Sequence, residues 1–288
     1  MRYSLTHTTT YTYDDEVTAS YGRAHLLPHD LTGQAVLSAD LVVSPEPAET
    51  REHVDFFGNR SSYFVVREAH TILNVTSRCV LEISRPAVDV TTLNGVSWEQ
   101  ARDGLAGNDP ARQYLLPSRQ IATAGDVSQY AGAIFTPGRP FGEAIADLTS
   151  RIYHDFKYKS GSTTVRSTLT EVLANRSGVC QDFAHLAVGC LRSVGLAARY
   201  VSGYLETVPP PGKQKLQGAD ASHAWASVLL PGSGWVDIDP TNNQFVDHRY
   251  LILAHGRDYS DVPPLKGVIM TDAKNSSMRV SVDVTPLG

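Results

Sequence analysis

Between residues 73 and 83 the chain alternates strictly. Leu73, Val75, Ser77, Cys79, Leu81 and Ile83 share one parity, while Asn74, Thr76, Arg78 and Glu82 occupy the other. A period of two buries one face of an extended strand. It is incompatible with a helix, whose faces repeat about every 3.6 residues. Leu37, Ala39, Leu41 and Val43 alternate in the same way against Ser38, Asp40 and Val42, and should share a buried face. Phe57-Gly58-Asn59-Arg60 interrupts two apolar stretches in the manner of a hairpin turn. No helical period of comparable length occurs before residue 95. Residues 1–90 therefore read as a small β-sandwich domain.

The texture changes after Pro86. Residues 91–164 read as a helical connecting region, in which Asp109-Pro110 starts a short helix and Thr136-Pro137-Gly138-Arg139-Pro140 is a loop before a helix from Phe141 to Tyr153. Residues 165–288 read as a third unit. A short helix covers Thr168 to Leu173, and a longer one runs from Cys180 to Val194. Phe183, Leu186, Ala187, Cys190, Leu191 and Val194 fall on one stripe of that helix, and Gly195 stops it. Strand-like segments follow at Ala198–Tyr204, His223–Leu229 and Trp235–Ile238. A loop containing Pro209-Pro210-Pro211-Gly212-Lys213 separates the first two, and a last strand alternates through Met278, Val280, Val282 and Val284.

Composition excludes several classes. Hydrophobic residues make up 42% and charged ones 19%, which fits a folded domain and not a disordered chain. Lys and Arg total 25 against 30 Asp and Glu, so the basic excess of a nucleic-acid binder is missing. No apolar run approaches the ~18 residues of a membrane helix. The first residues lack the apolar core of a secretory signal. Three cysteines are too few for a disulfide framework and leave at least one thiol free. The expectation is a soluble cytoplasmic protein that engages neither nucleic acid nor membrane.

Three residues stand where acyl-transfer chemistry needs them. Cys180 opens a helix, where free N–H groups and the helix dipole favour a thiolate. His223 begins a strand, and Asp239 ends one. They supply a nucleophile, a base and an orienting carboxylate. Asp237 shares strand parity with Asp239 and is a rival for the third role. Cys190 is mid-helix on the apolar stripe and Cys79 is on the apolar face of its strand, so both read as core. Cys180 and Cys190 lie ten residues apart, roughly 15 Å along a helix, too far for a disulfide. Five-residue steps would also splay Cys180, His185 and Cys190 around the helix, which excludes them as a zinc set. Asp182 either caps the helix or opposes the thiolate beside it, and capping is the stronger reading.

The run Gly178-Val179-Cys180-Gln181-Asp182-Phe183-Ala184-His185-Leu186, followed by Leu191-Arg192-Ser193-Val194-Gly195-Leu196-Ala197-Ala198-Arg199-Tyr200-Val201-Ser202-Gly203-Tyr204, resembles the core motif of the transglutaminase-like superfamily. Ser222-His223-Ala224-Trp225-Ala226 and Gly234-Trp235-Val236-Asp237-Ile238-Asp239-Pro240-Thr241-Asn242 are similar to its next two motifs, in order. The tail from His255 to Gly267 and the N-terminal β region resemble the bacterial branch. This resemblance implies an α+β fold, with a papain-like core in which a Cys-bearing helix packs on an antiparallel sheet. It implies a triad of Cys180, His223 and Asp239, with the aspartate directly before the turn. It also implies a cysteine protease or amidase acting on a peptide or protein through a thioester, with no metal or organic cofactor. A transglutaminase using an amine acceptor and a non-catalytic scaffold of a peptide-processing assembly are the alternatives.

Overall fold

The computed structural model describes residues 1–164, 167–207 and 222–288. The Pro209–Lys213 loop lies outside the described residues. Five strands come first: β1 (Arg2–Ala24), β2 (Gln34–Ser44), β3 (Glu49–Val54), β4 (Arg60–Val66) and β5 (His70–Ile83). Helices α1 (Trp98–Asp103), α2 (Asp109–Arg112), α3 (Asp126–Gly132) and α4 (Phe141–Asp155) follow. Two short strands, β6 (Lys157–Tyr158) and β7 (Ser177–Gly178), pair in parallel around α5 (Leu169–Asn175). Then come α6 (Cys180–Ser193), β8 (Ala198–Leu205), β9 (Ser222–Leu230), β10 (Gly234–Asp239), β11 (Gln244–Phe245) and β12 (Tyr250–Gly256). The chain closes with β13 (Leu265–Thr271) and β14 (Ser276–Pro286). Among the described residues, no helix is long and apolar enough to cross a membrane.

The N-terminal sheet is organised by β1. Its first half pairs with β5, its second half with β4, and the register breaks between Thr12 and Val17. The strand order is β2-β5-β1-β4-β3. The other edge of β1 is taken by β14 along its first half and β13 along its second. The expectation that 165–288 forms one unit is corrected here, since residues 265–286 complete the sheet begun by residues 1–90. The parity of β5 is as expected, with Leu73, Val75, Ser77, Cys79, Leu81 and Ile83 all buried. That of β2 is not. A bulge between Val36 and Ser38 shifts the register, so Leu37 turns outward and is 50% exposed.

The second sheet has the order β11-β10-β9-β8-β12 and is antiparallel throughout. Helix α6 lies against β8 and β9. The predicted stripe is buried through Leu191 and partly buried at Val194, just past the helix end, but Ala184, His185, Val188 and Gly189 are buried too, because α3, α4 and α5 cover the opposite flank. Gly195 ends the helix at φ +84°, the left-handed region that glycine enters without strain. Arg192, in the last turn, is buried, and its guanidinium donates to the carbonyls of Ala198, Leu116 and Arg257. The α6 terminus is thereby tied to the start of β8.

The two sheets share a core. Leu5, Phe64, Val75 and Val282 of the first pack in one cluster with Ala184, Tyr200, Tyr204 and Leu253 of the second unit, and Cys180 packs against that cluster. Tyr204 and His7 hydrogen-bond across the junction at 2.8 Å, and Tyr3 donates to Glu206 at 3.0 Å. The β domain is thus one wall of the unit that carries Cys180.

Candidate active site

Cys180 is the first residue of α6, after Val179 in extended conformation at φ −118°. The first N–H groups of a helix have no acceptor within it, so this end offers donors and a positive dipole to the thiol. Asp182 resolves its two readings in favour of capping. Its Oδ2 accepts from Val179 N–H at 2.8 Å and from Thr163 Oγ1 at 2.6 Å. Burial pushes its carboxyl up, against those two hydrogen bonds.

The register of the sheet brings His223 to Cys180. His223 stands opposite Gly203 of β8. A Cβ at Gly203 would lie 2.1 Å from Leu251 O and 2.6 Å from the Trp225 ring, so only glycine fits. The His223 imidazole is nearly enclosed, with 11% of its side chain exposed. Its Nε2 is 2.7 Å from Asp239 Oδ2, and the ring also hydrogen-bonds Cys180. Burial, the largest single influence, pulls His223 down. The hydrogen bonds and charges of Asp239 and Cys180 outweigh it and raise the imidazole to about 10.

Asp239 is fully buried at the end of β10. Its Oδ1 accepts from Thr241 N–H at 2.9 Å. Its Oδ2 accepts from His223, from Asn242 Nδ2 at 2.6 Å and from the Tyr250 hydroxyl at 2.7 Å. Burial alone would raise this carboxyl, but the donors hold it below the ordinary carboxylate range. Trp225, fully buried, packs against the Tyr250 ring, and both rings lie about 6 Å from that of His223, at 6.0 and 6.1 Å.

The three residues expected from the sequence therefore meet, and Asp237 does not join them. Its side chain lies near Arg85 and Arg199, and its Oδ1 has no hydrogen-bond partner among the described residues. Cys79 and Cys190 are buried, and burial pushes both thiols up, Cys79 to about 12. His185 is buried and accepts Tyr259 N–H on Nε2, so that nitrogen is engaged. Among the described residues, no group of three or more His, Cys, Asp or Glu could hold a metal ion. The sequence reading gives Asn242 a place in the turn but no role at the site, and it does not reach Tyr250. Asn242 closes the turn begun by Asp239, its N–H bonded to Asp239 O at 3.3 Å, and that spacing was a usable signal. Tyr250 is on a different strand and had none.

A Cys-bearing helix on an antiparallel sheet that carries His and Asp defines a papain-like α+β unit. Comparison with known proteins gives its family. Residues 3–82 match the bacterial transglutaminase-like N-terminal region, and residues 128–240 match the transglutaminase-like superfamily. The chain belongs to that superfamily. It is 47% identical to an uncharacterized protein of Mycobacterium tuberculosis over 291 residues, covering 99% of this chain and 93% of that one. It is also 33% identical over 101 residues to a protein-glutamine gamma-glutamyltransferase of Pseudomonas aeruginosa, covering 34% of this chain and 15% of that protein. A solved structure from Cytophaga hutchinsonii, provisionally assigned as a cysteine protease, superposes with a TM-score of 0.81 at 21% identity, over 100% of this chain and 91% of that one. At that identity the likeness establishes the fold.

Proposed function

We propose that this protein is a cysteine-dependent amide acyl-transfer enzyme, a peptidase or amidase, in which Cys180, His223 and Asp239 form the catalytic triad. One observation carries the reading: Cys180, at a helix N-terminus, is hydrogen-bonded to an imidazole that a fully buried carboxylate holds at 2.7 Å. Nucleophile, base and orienting group thus stand in sequence.

The chemistry follows from the charges. With His223 raised to about 10 and Asp239 held below the ordinary carboxylate range, an imidazolium stands beside Cys180. The Cys180 sulfur attacks the carbonyl carbon of a peptide or carboxamide, and the Cys180 backbone N–H at the helix start is a donor for the resulting oxyanion. His223 gives its proton to the departing amine, the C–N bond breaks, and a thioester remains. An incoming water loses a proton to His223, attacks the thioester and releases the acid, which frees the Cys180 sulfur and returns the imidazolium. A primary amine in place of water gives a new amide. The partial likeness to the Pseudomonas gamma-glutamyltransferase favours this second outcome as the alternative.

The test is mass spectrometry of a peptide library incubated with the protein, with and without a primary amine. New free acids indicate hydrolysis and amine adducts indicate transfer. Both should vanish in Cys180→Ala. Products that persist in Cys180→Ala would exclude the triad.

A further inference from the structure

Strand register places Gln244 of β11 opposite Asp239 of β10. Among the described residues, β11 is the first strand of the catalytic sheet and β12, opened by Tyr250, is the last. The connection between them therefore crosses the sheet, and it carries Asp247 and Arg249. These two form an ion pair. Arg249 Nη2 donates to Asp247 Oδ2 at 2.8 Å, and the Arg249 backbone N–H donates to Asp247 Oδ1 at 2.9 Å. The same Nη2 also donates to Gln244 Oε1 at 3.1 Å.

The direction of each hydrogen bond along this line is set by chemistry. A guanidinium can only donate, so the Gln244 amide turns its oxygen to Arg249. Its Nε2 then faces Tyr250 and donates to the hydroxyl. A phenol has one proton to give. With Gln244 donating into the hydroxyl, that proton goes to Asp239 Oδ2, 2.7 Å away. An amide turned the other way would present its oxygen to the hydroxyl and compete with Asp239 for the proton. The competition matters because Asp239 is fully buried and stays anionic through its donors, which are His223, Thr241, Asn242 and Tyr250. The charges run in the same sense. Asp239 pushes the Tyr250 hydroxyl up, while Gln244 and Arg249 draw it down. Besides Asp247 and Tyr250, Glu206 is the further ionisable group that acts on Arg249.

We propose that Gln244 and Arg249 are positioning residues of the triad: Arg249 fixes the orientation of the Gln244 amide, and the amide directs the Tyr250 proton to Asp239. Both roles rest on the triad reading of Cys180, His223 and Asp239.

Hydrolysis of p-nitrophenyl acetate by the whole protein, followed across the acid and neutral range, tests it. Gln244→Glu puts an acceptor where the Nε2 donor stands, at nearly unchanged size. It should lower kcat about tenfold, leave KM within about twofold and move the acid limb of the pH–rate profile upward. In a Tyr250→Phe background the same change should cost less than about twofold, because no hydroxyl proton is left to divert. Arg249→Met frees the amide to turn and should lower kcat about threefold, and Arg249→Lys, which keeps a donor, should recover most of that loss. Additive losses from Gln244→Glu and Tyr250→Phe would overturn the proposal, because they would trace the effect to the added charge and not to the hydroxyl. An acid limb unmoved in Gln244→Glu would overturn it as well. Cys180→Ala should abolish hydrolysis. Hydrolysis that survives in Cys180→Ala would sink the triad reading and this proposal with it, whereas unaltered kinetics of Gln244→Glu beside an inactive Cys180→Ala would overturn the positioning roles alone.

Discussion

Tyr250 donates its hydroxyl to Asp239 Oδ2 at 2.7 Å, the same oxygen that faces His223 at 2.7 Å. Asn242 is a third donor to that atom, and Gln244 Nε2 donates in turn to the Tyr250 hydroxyl. The carboxylate is thereby fixed in rotation and kept anionic in a fully buried place. Tyr250→Phe should lower kcat/KM about tenfold, or ~1.4 kcal/mol, the scale of one hydrogen bond to a charged group. It should also move the acid limb of the pH–rate profile upward, since Asp239 loses a group that holds its pKa down. Asp239→Asn should cost several orders of magnitude, and Tyr250→Phe added to it should cost little more. Additive losses would show that Tyr250 acts elsewhere.

Thiol chemistry separates Cys180 from its two counterparts. It starts a helix, is only partly buried and contacts His223, whereas Cys79 and Cys190 are buried with raised pKa values. Site-resolved iodoacetamide labelling near pH 6 should modify Cys180 at least a hundredfold faster than either. Comparable rates in the folded protein, against equal rates after denaturation, would remove the basis for Cys180 as the nucleophile.

Much of this was legible in the chain because Cys180, His223 and Asp239 each sit at the end of an element with its own local pattern. The architecture of β1 was not. Its buried parity runs Tyr3, Leu5, His7, Thr9, and two polar residues in four blur the hydrophobic period. His7 and Thr9 are tolerated there because they bond each other at 2.9 Å. Nor does any local signal tell β14 that its partner lies at the other end of the chain. Leu37 misled for a related reason: a bulge inverts parity without changing composition. Asp237 and Asp239 look equivalent by period, and only the surroundings separate them, with two arginines near one and a histidine, an asparagine and a tyrosine bonded to the other.

Stability should pass through a maximum near neutral pH. Burial pulls His7 and His185 down to about 4 and His255 to about 3, from an ordinary value of 6.5. Below pH 6.5 the unfolded chain takes up protons that the folded chain refuses, so each imidazole costs up to about 1.4 kcal/mol per pH unit until its folded pKa is reached. His223 has the opposite sign. Raised to about 10, it contributes fully below pH 6.5, and its contribution is lost as pH climbs from there to 10. Melting temperature should therefore fall on both sides. A flat profile between pH 6.5 and 5 would contradict the buried neutral histidines.

The β domain grips the catalytic sheet through two side-chain amides. Among the described residues, strand β12 is the last in its sheet, and its outer edge has no strand partner there. Asn59 Oδ1 accepts His255 N–H at 2.9 Å, and its Nδ2 donates to His255 O at 2.9 Å. Gln34 does the same for Ile252, at 2.9 and 2.8 Å. Each side chain imitates a peptide group of a neighbouring strand. Asn59→Ala would strand a buried N–H and C=O together, at a cost of about 2–4 kcal/mol. Gln34→Ala should cost a similar amount, whereas Val54→Ala, at a position 69% exposed, should stay within about 0.5 kcal/mol. Urea denaturation with unchanged m-values would read these differences as changes in stability. A loss below about 0.5 kcal/mol for Asn59→Ala would mean that His255 finds other partners, and that the amide clamp does not hold the domain in place.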